Sequence, residues 1–214
     1  MERIQLAIEK ARAQRQKRAP APESRADADD QPVVVPVPDD IEQAWQAISP
    51  FTPSVQVMRS SRIMTFEGGH DAAPFDMMRT KVMQQMRSKN WRRLAVTSPS
   101  SACGKTTICA NLAFSLARQH DLRTAVIEMD MRRPSLAKAL GLPLGDQQFS
   151  SVLQDNTPAA DHMVRYGMNL AFGLSRKPVR NPSELLQSHT AAEALARLEK
   201  DLALDFTIFD MPPM

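Results

Sequence analysis

One segment constrains the fold of this chain more than any other: a short apolar stretch, a loop of small residues and a Gly-Lys-Thr that opens a helical pattern. The apolar stretch is Leu94–Thr97, the loop runs to Cys103, and Gly104–Thr107 precede an amphipathic stretch that ends near residue 119. In such a loop successive backbone N–H groups point inward, and the helix N-terminus adds partial positive charge, so phosphate oxygens are held. The segment therefore predicts a strand, a phosphate-binding loop and a helix in succession.

Individual residues of this loop have predicted roles. Lys105 is expected to reach the β- and γ-phosphates of a nucleotide, and Thr106 to ligate Mg²⁺ through its hydroxyl. Gly104 is expected because a Cβ there would crowd the phosphates. The loop departs from the common G-x-x-x-x-G-K-[ST] pattern at its first position, which is Pro99. The predicted nucleotide-binding residues are Ser100, Ser101, Ala102, Cys103, Gly104, Lys105, Thr106 and Thr107.

Two further apolar stretches end in carboxylates. The first leads into Glu128 and Asp130, and the second, residues 206–209, leads into Asp210. Alternation along an extended chain places Glu128 and Asp130 on one side. An acid at the carboxyl end of a strand beside a phosphate loop can hold Mg²⁺ directly or through water, although one such acid alone is more often a solvated strand end. Together they predict a magnesium site made of Thr106, Glu128, Asp130 and Asp210.

The remaining patterns predict an α/β fold. Short apolar strands are predicted at 94–97, 123–129 and 206–209, and helices at 74–90, 106–119, 135–140, 183–188 and 191–201. Val55, Val57 and Ile63–Phe66 are predicted to be extended. Strands that alternate with helices are typical of a mostly parallel sheet with helices on both faces.

The N-terminal fifty residues differ from the rest in composition. Residues 1–18 are net basic and place Ile4, Ala7, Ile8 and Ala11 on one face of a predicted amphipathic helix. Residues 19–53 are rich in proline and acids, which predicts an extended and largely disordered linker with a helical turn around Trp45. The P-loop domain is then expected over residues 54–214.

Composition also bears on location and partners. No apolar run approaches the ~18 residues of a membrane span, and the charged residues 1–18 lack the apolar core of a secretory signal. These features favour a cytoplasmic protein. The net charge of +3 combines a basic head, an acidic linker and a mildly basic body, which does not indicate a nucleic-acid partner.

Several motifs, in order along the chain, resemble those of the bacterial tyrosine kinases (BY-kinases) of the CpsD/CapB type, within the ParA/MinD-like P-loop ATPases. The resemblance covers roughly residue 73 to the C-terminus. Arg79-Thr80 resembles part of the family's Arg-Thr-Asn segment. Three segments around the loop match the family: Thr-Ser-Pro at 97–99, Gly-Lys-[Ser/Thr]-Thr at 104–107 and Asn-Leu-Ala at 111–113. Three later segments resemble family motifs: Asp-x-Asp-x-Arg-x-Pro at 128–134, Asn-Pro-[Ser/Ala]-Glu-Leu-Leu at 181–186 and Asp-Thr-Pro-Pro at 210–213.

The resemblance implies a tyrosine kinase that uses ATP and Mg²⁺, with Lys105, Asp130 and Asp210 as catalytic residues. It implies phosphoryl transfer to tyrosines and a role in the synthesis and export of exopolysaccharide or capsule. It further implies a membrane-spanning polysaccharide co-polymerase as activating partner and a capacity for homo-oligomers. The protein would then lie at the inner membrane through that partner, with only indirect membrane contact.

Three departures from the family pattern modify these expectations. Glu128 replaces the first Asp of the middle motif and is one methylene longer. Lys81 and Asp76 stand where the Arg-Thr-Asn segment has Asn and Arg, which weakens the expectation of ring-type self-association. The family continues beyond Pro-Pro with further strands and a tyrosine cluster, so a domain truncated on its C-terminal side is expected after Met214. Tyr166 is the one tyrosine of the sequence.

These departures keep two alternatives open. The first is an ATP-binding regulatory subunit without kinase activity that works with a membrane co-polymerase. The second is a ParA/MinD-like positioning ATPase, which is disfavoured because Ser100 stands where that loop carries a lysine. Cys103 is interpreted as a small residue tolerated in a tight loop, in preference to a site of inhibitory oxidation.

Overall fold

Six β-strands form one sheet in the part of the chain that the structure, a computed structural model, describes: residues 39–143, 145–155 and 157–214. The order across the sheet is β1-β4-β5-β3-β6-β2. Neighbouring strands are parallel except β4 and β5, which pair antiparallel. The strands are β1 (Ser49–Pro50), β2 (Arg93–Val96), β3 (Thr124–Glu128), β4 (Met163–Tyr166), β5 (Leu170–Gly173) and β6 (Phe206–Asp210).

Eight α-helices accompany these strands in the described residues. Three of the helices that the sequence predicts are among the longest. The sequence marks both ends of α3: Pro74 lies in the first turn, where no N–H is needed, and Asn90 ends the helix in a left-handed conformation at φ 55°. The helices are α1 (Asp39–Ala47), α2 (Val55–Ser60), α3 (Ala73–Lys89), α4 (Lys105–Ala117), α5 (Leu136–Ala139), α6 (Phe149–Asp155), α7 (Pro182–Gln187) and α8 (His189–Asp201), with 3₁₀ turns at Met64–Phe66, His70–Ala72 and Ala159–His162.

Helices cover both faces of the sheet, which confirms the predicted fold class. Every residue of β3 is buried. Val126 faces a core cluster built from α3 and α4, and its neighbours Ala125 and Ile127 face a second cluster built from α1, α6, α7 and α8. Because side chains alternate across a strand, a strand buried on both faces is mostly apolar. The sequence shows such mostly apolar runs at β3 and β6, each of which ends in a carboxylate.

Residues 39–53 differ from the extended linker predicted for them. They form α1 and β1, and β1 pairs in parallel with β4. The Trp45 side chain is 1% exposed, and its indole N–H donates to the Leu202 carbonyl oxygen at 3.0 Å. Three of the acids that suggested a linker, Asp39, Asp40 and Glu42, lie in the first turn of α1, where the helix dipole favours negative charge. The predicted helix over 1–18 and linker residues 19–38 lie outside the described residues.

Two other local predictions were wrong or incomplete. Residues 55–60 and 64–66 are helical rather than extended, because Met58 and the adjoining turn pack against the first core cluster. The β4–β5 hairpin and α6 were not predicted. The half-buried Arg165 interrupts the apolar pattern of β4, and the turn after it uses Gly167 at φ 62°. Among the described helices, none is long and apolar enough to cross a membrane.

Candidate functional site

The strand register brings the predicted site residues to one edge of the sheet. Val96 at the end of β2 pairs with Asp210 at the end of β6, and Asp210 pairs with Glu128 at the end of β3. The loop that follows β2 enters α4 at Lys105. In parallel sheets the carboxyl ends of strands form the usual ligand-binding edge. The loop and both acidic strand ends therefore meet where the sequence predicted a nucleotide site.

The loop backbone has the conformations that such a site needs. Gly104, the N-terminal flanking residue of α4, has φ 86°, a left-handed conformation that glycine adopts at little cost. A Cβ at Gly104 would meet no described protein atom within 4 Å, so backbone conformation is the requirement that the structure shows. Ala102 is also left-handed, at φ 59°, and such strain in a non-glycine residue is commonly found at ligand-binding loops.

Cys103 lies exposed in the same loop. Its sulfur is 3.1 Å from the Ser100 hydroxyl oxygen, and that hydrogen bond is the main reason why the pKa of the Cys103 thiol is lowered. The second cysteine, Cys109, is buried in α4, and burial together with the nearby Asp210 carboxylate raises the pKa of its thiol. The structure leaves the preference for Cys103 as a tolerated small residue untested.

Lys105 and Thr106 occupy the first turn of α4. Lys105 is only 8% exposed, and a lysine is seldom so buried without an anionic partner nearby. Thr106 Oγ1 donates a hydrogen bond to Asp210 Oδ2 at 2.5 Å. The predicted metal-ligating hydroxyl and the predicted acid of the third motif are therefore in direct contact.

Asp210 carries the strongest indication of an ionic ligand. It is completely buried, and its Oδ1 makes no hydrogen bond to any residue that the structure describes. Burial raises the pKa of Asp210, while the Thr106 hydrogen bond and the Lys105 charge act in the opposite direction. A buried carboxylate oxygen without a partner is costly in a folded protein. A bound cation would remove that cost.

The residues present fit Mg²⁺. Mg²⁺ binds through one or two carboxylates, a hydroxyl and the phosphates of its nucleotide rather than through an all-protein cage. Thr106 Oγ1 and the Asp210 carboxylate supply that set. The described residues contain no group of three or more His, Cys, Asp or Glu side chains placed to hold a metal.

Glu128 is arranged differently from the metal ligand that the sequence predicted. Its buried carboxylate accepts backbone N–H bonds from Ser135 at 2.5 Å and Leu136 at 2.7 Å on Oε1, and from Ser175 at 3.0 Å on Oε2. The extra methylene of Glu relative to Asp lets the carboxylate reach these donors. Both oxygens thus accept hydrogen bonds from backbone groups, two on Oε1 and one on Oε2.

Asp130 lies at the mouth of a cleft beside the loop. Its residue is half-buried, its Oδ1 accepts from the Arg133 backbone N–H at 3.2 Å, and its own N–H donates to the Asp210 carbonyl oxygen at 3.0 Å. The cleft measures about 520 Å³. Its walls come from Pro99–Ser101, Met129–Arg133, Pro182, Ser183, Leu186 and Pro212–Met214.

The segment Asn181–Leu186 forms one wall of this cleft. The Val179 N–H donates to the Met131 carbonyl oxygen at 2.9 Å, and Arg132 Nη2 lies 3.4 Å from Ser183 Oγ. These contacts fix the start of α7 against the loop that carries Asp130. The Asn-Pro-Ser-Glu-Leu-Leu segment at 181–186 therefore adjoins the site.

Sequence reasoning missed one residue of the site, Ser135. Its hydroxyl oxygen is 3.0 Å from Thr106 Oγ1, although the two residues are 29 positions apart. The available signal was a serine directly before a helical stretch, which predicts an N-terminal cap. Ser135 does flank α5, but its side chain makes no capping hydrogen bond there. The actual contact depends on the turn after β3 and could not be read from spacing.

The segment implicated in self-association is engaged within the chain. Asp76 accepts hydrogen bonds from the Ser115 hydroxyl and from Arg118, and it lies 3.5 Å from Arg79. Arg79 Nη1 donates to the Ser115 carbonyl oxygen at 2.9 Å. Asp76 thus ties α3 to α4.

The two buried carboxyls predict a pH-dependent stability. Burial raises the pKa of Glu128 from 4.5 to about 7, against the effect of its three N–H donors, and also raises the pKa of Asp210. A carboxyl with a raised pKa binds its proton more tightly in the folded chain, so the free energy of unfolding falls as pH rises from the unfolded-state pKa to the folded-state pKa. In EDTA we expect a loss of up to roughly 3 kcal/mol between about pH 4.5 and 7 from Glu128.

Urea denaturation across that pH range measures the effect. Glu128→Gln removes one of the two titrating groups and should flatten the profile. An unchanged pH slope in Glu128→Gln would show that Glu128 titrates normally.

Comparison with known proteins agrees with this geometry. Residues 94–209, more than half of the chain, match the model of the "CobQ/CobB/MinD/ParA nucleotide binding domain" family. CapB of Staphylococcus aureus, whose name describes a tyrosine-protein kinase, is 29% identical over 141 residues, which are 65% of this chain and 60% of that protein. The tyrosine-protein kinase YwqD of Bacillus subtilis (strain 168) is 26% identical over 74% of this chain and 66% of its own length.

Solved structures show the same relationship. The BceF tyrosine kinase domain superposes with a TM-score of 0.58 at 25% identity and covers 83% of this chain and 76% of that domain. The chain spans 60% of the length of CapB, which is less than two thirds. The matches confirm the resemblance to bacterial tyrosine kinases that the ordered motifs indicated.

Proposed function

The chain belongs to the CobQ/CobB/MinD/ParA nucleotide-binding domain family, and from that premise we propose that it binds Mg·ATP and transfers a phosphoryl group to protein tyrosine. The observation that carries the proposal is the convergence of Lys105, Thr106 and the unsatisfied buried Asp210 carboxylate behind the loop at 97–104. The similarity to named tyrosine-protein kinases supports the choice of acceptor.

Each residue has a distinct part in the proposed reaction. Backbone N–H groups of Ser100–Gly104 and the start of α4 hold the phosphate oxygens, and Lys105 neutralises charge on the β- and γ-phosphates. Thr106 and Asp210 hold Mg²⁺, which when bound supplies further charge neutralisation. Asp130, at the mouth of the cleft, orients the acceptor hydroxyl and takes its proton. Catalysis then rests on positioning and electrostatics, as is usual for phosphoryl transfer.

The acceptor tyrosine comes from outside the described site. Tyr166 pairs with Leu170 at the start of β5, and Leu170 pairs with Thr124 at the start of β3. That row is four residues from Glu128, or about 13 Å along the strands from the edge that carries the loop. Tyr166 also packs edge-on against Phe66 and Phe114. The proposed substrate is therefore a tyrosine on another chain.

A phosphotyrosine assay tests the proposal. The purified protein should phosphorylate a Glu-Tyr copolymer with Mg·ATP, Tyr166→Phe should be as active as wild type, and Asp130→Asn should lose at least about 100-fold in rate because the acceptor is no longer oriented. Phosphorylation that persists at the wild-type rate in Asp130→Asn would refute the role of that residue. ATP binding without any tyrosine phosphorylation would refute the kinase.

A nucleotide-sensing regulatory subunit is the second candidate. It is favoured by two observations: Glu128 is engaged by backbone donors, where the family has a shorter Asp, and Tyr166 is remote from the loop. In that role ATP binding would alter a partner protein rather than lead to transfer. Binding of ATP with no transfer to any tyrosine substrate is the result that selects it.

We further propose that the protein works in exopolysaccharide or capsule synthesis with a membrane-spanning polysaccharide co-polymerase, as the family resemblance implies. Residues 1–36, basic at their start and acidic afterwards, would form the tether to that partner. Because α1 and β1 belong to the fold, a test by deletion should stop at residue 36 and keep Trp45. Recovery of the partner unchanged by this deletion would refute the tether.

A further inference from the structure

Ser135 directly precedes α5, where a serine side chain ordinarily accepts a hydrogen bond from the backbone of its own helix. Its hydroxyl contacts a different part of the structure. Ser135 is the N-terminal flanking residue of α5, has φ −138°, and makes no side-chain capping bond. Serine in this position usually accepts from a backbone N–H two or three residues later. Here the hydroxyl oxygen lies 3.0 Å from Thr106 Oγ1 instead. The exposed Ser135 side chain is thus directed at the phosphate loop.

The hydrogen atoms in this contact can be assigned. Thr106 has one hydroxyl proton, which it donates to Asp210 Oδ2 at 2.5 Å. A carboxylate accepts only, so this proton is committed, and Ser135 must be the donor in its contact with Thr106. Thr106 Oγ1 then donates one hydrogen bond, accepts one, and keeps one lone pair. Its orientation is fixed by two partners.

Ser135 is in turn held by Glu128. The Ser135 and Leu136 N–H groups, at the start of α5, both donate to Glu128 Oε1. The Ser175 N–H holds the other oxygen of the same carboxylate. Glu128 therefore anchors the start of α5 to the end of β3 and fixes the backbone of Ser135, from which the hydroxyl reaches Thr106.

We propose that Ser135 is a positioning residue for the magnesium-binding hydroxyl of Thr106, and that Glu128 serves the site by fixing Ser135 rather than by binding the metal. The inference rests on the proposed function, since it concerns the same Mg·ATP site. It gives Glu128 a role that a carboxylate one methylene shorter could not fill with the same backbone positions.

The first test separates nucleotide binding from its magnesium dependence. Calorimetry with a non-hydrolysable ATP analogue should show that Ser135→Ala weakens binding about 3- to 10-fold with Mg²⁺ and leaves binding in EDTA unchanged, the effect expected for one lost hydrogen bond. Ser135→Thr keeps the hydroxyl and should stay within about 2-fold of wild type. Ser88→Ala is the matched control, because the Ser88 hydroxyl is also exposed and donates to the Gln85 carbonyl oxygen within α3.

The second test uses Mn²⁺ as a spectroscopic probe of the metal alone. In Glu128→Gln the amide oxygen can still accept from Ser135 and Leu136, so Mn²⁺ affinity by electron paramagnetic resonance should fall less than about 3-fold. If the Glu128 carboxylate ligated the metal, the same change would remove a charged ligand, and Mn²⁺ affinity would fall at least about 10-fold. Thermal denaturation without metal confirms that the variant is folded.

The outcomes distinguish the inference from the proposed function. If wild type binds the analogue no better with Mg²⁺ than in EDTA, the proposed function fails and the inference falls with it. If wild type shows the magnesium effect and Ser135→Ala shows it undiminished, only the inference is overturned. A tenfold or larger loss of Mn²⁺ affinity in Glu128→Gln would return Glu128 to the metal ligands.

Discussion

Replacing Lys105 by alanine should abolish ATP binding at any accessible concentration, a loss of at least about 100-fold in affinity. Lys105 is the first residue of α4 and is only 8% exposed, so little water reaches its side chain. Charge pairs there are stronger than in water, so losing the ammonium group removes a strong interaction with the phosphates. Isothermal calorimetry with Mg·ATP measures the effect.

A matched control for Lys105→Ala is Lys89→Ala. Lys89 ends α3 and precedes β2, so it lies toward the edge of the sheet opposite the loop, and it is exposed. The same loss of one positive charge there should leave ATP affinity within about 2-fold of wild type. Equal affinities of wild type and Lys105→Ala would show that the loop at 97–104 is not the nucleotide site.

Asp210→Asn should lower the metal-dependent affinity for ATP and raise the stability of the folded state without metal. The change removes the charge of a buried carboxylate whose pKa is raised by burial, while the Thr106 hydroxyl can still donate to the remaining carbonyl oxygen. Metal-dependent ATP affinity should fall at least about 10- to 100-fold, because Mg²⁺ loses its charged protein ligand. Without metal, the folded state should become more stable near neutral pH, since the cost of a buried charge is gone.

Asp205→Asn is the control for this prediction. Asp205 precedes β6 at the opposite end of the strand, is exposed, and accepts a hydrogen bond from the Arg123 N–H that an amide oxygen can also accept. It should change neither measurement. Loss of stability in Asp210→Asn, together with unchanged Mg·ATP affinity, would contradict a metal-binding role and make Asp210 a structural residue.

The sequence was most informative where local chemistry and topology coincide. The loop, α4 and the acidic ends of β3 and β6 follow from apolar runs that stop at Thr97, Glu128 and Asp210. Because parallel strands align their carboxyl ends, three strand ends predicted separately had to meet at one edge. This rule alone predicts that Thr106 and Asp210 lie at the same edge of the sheet.

The sequence was least informative where a residue's partner is distant along the chain. The prolines and acids of 39–53 indicate a linker by composition, but Trp45 is buried against α8 and the following turn, and β1 pairs with a strand more than a hundred residues later. The role of Glu128 likewise depends on backbone donors at 135, 136 and 175. Composition does not encode such pairings, and tertiary burial outweighed local propensity.

The measurement that most directly tests a Mg·ATP site at this edge of the sheet is a calorimetric titration of the wild-type chain with ATP, in Mg²⁺ and in EDTA. We expect one nucleotide per chain, bound at least about 10-fold more tightly with Mg²⁺, because the buried Asp210 carboxylate repels phosphate until a cation lies between them. Absence of binding, or equal affinity in Mg²⁺ and in EDTA, would contradict the account.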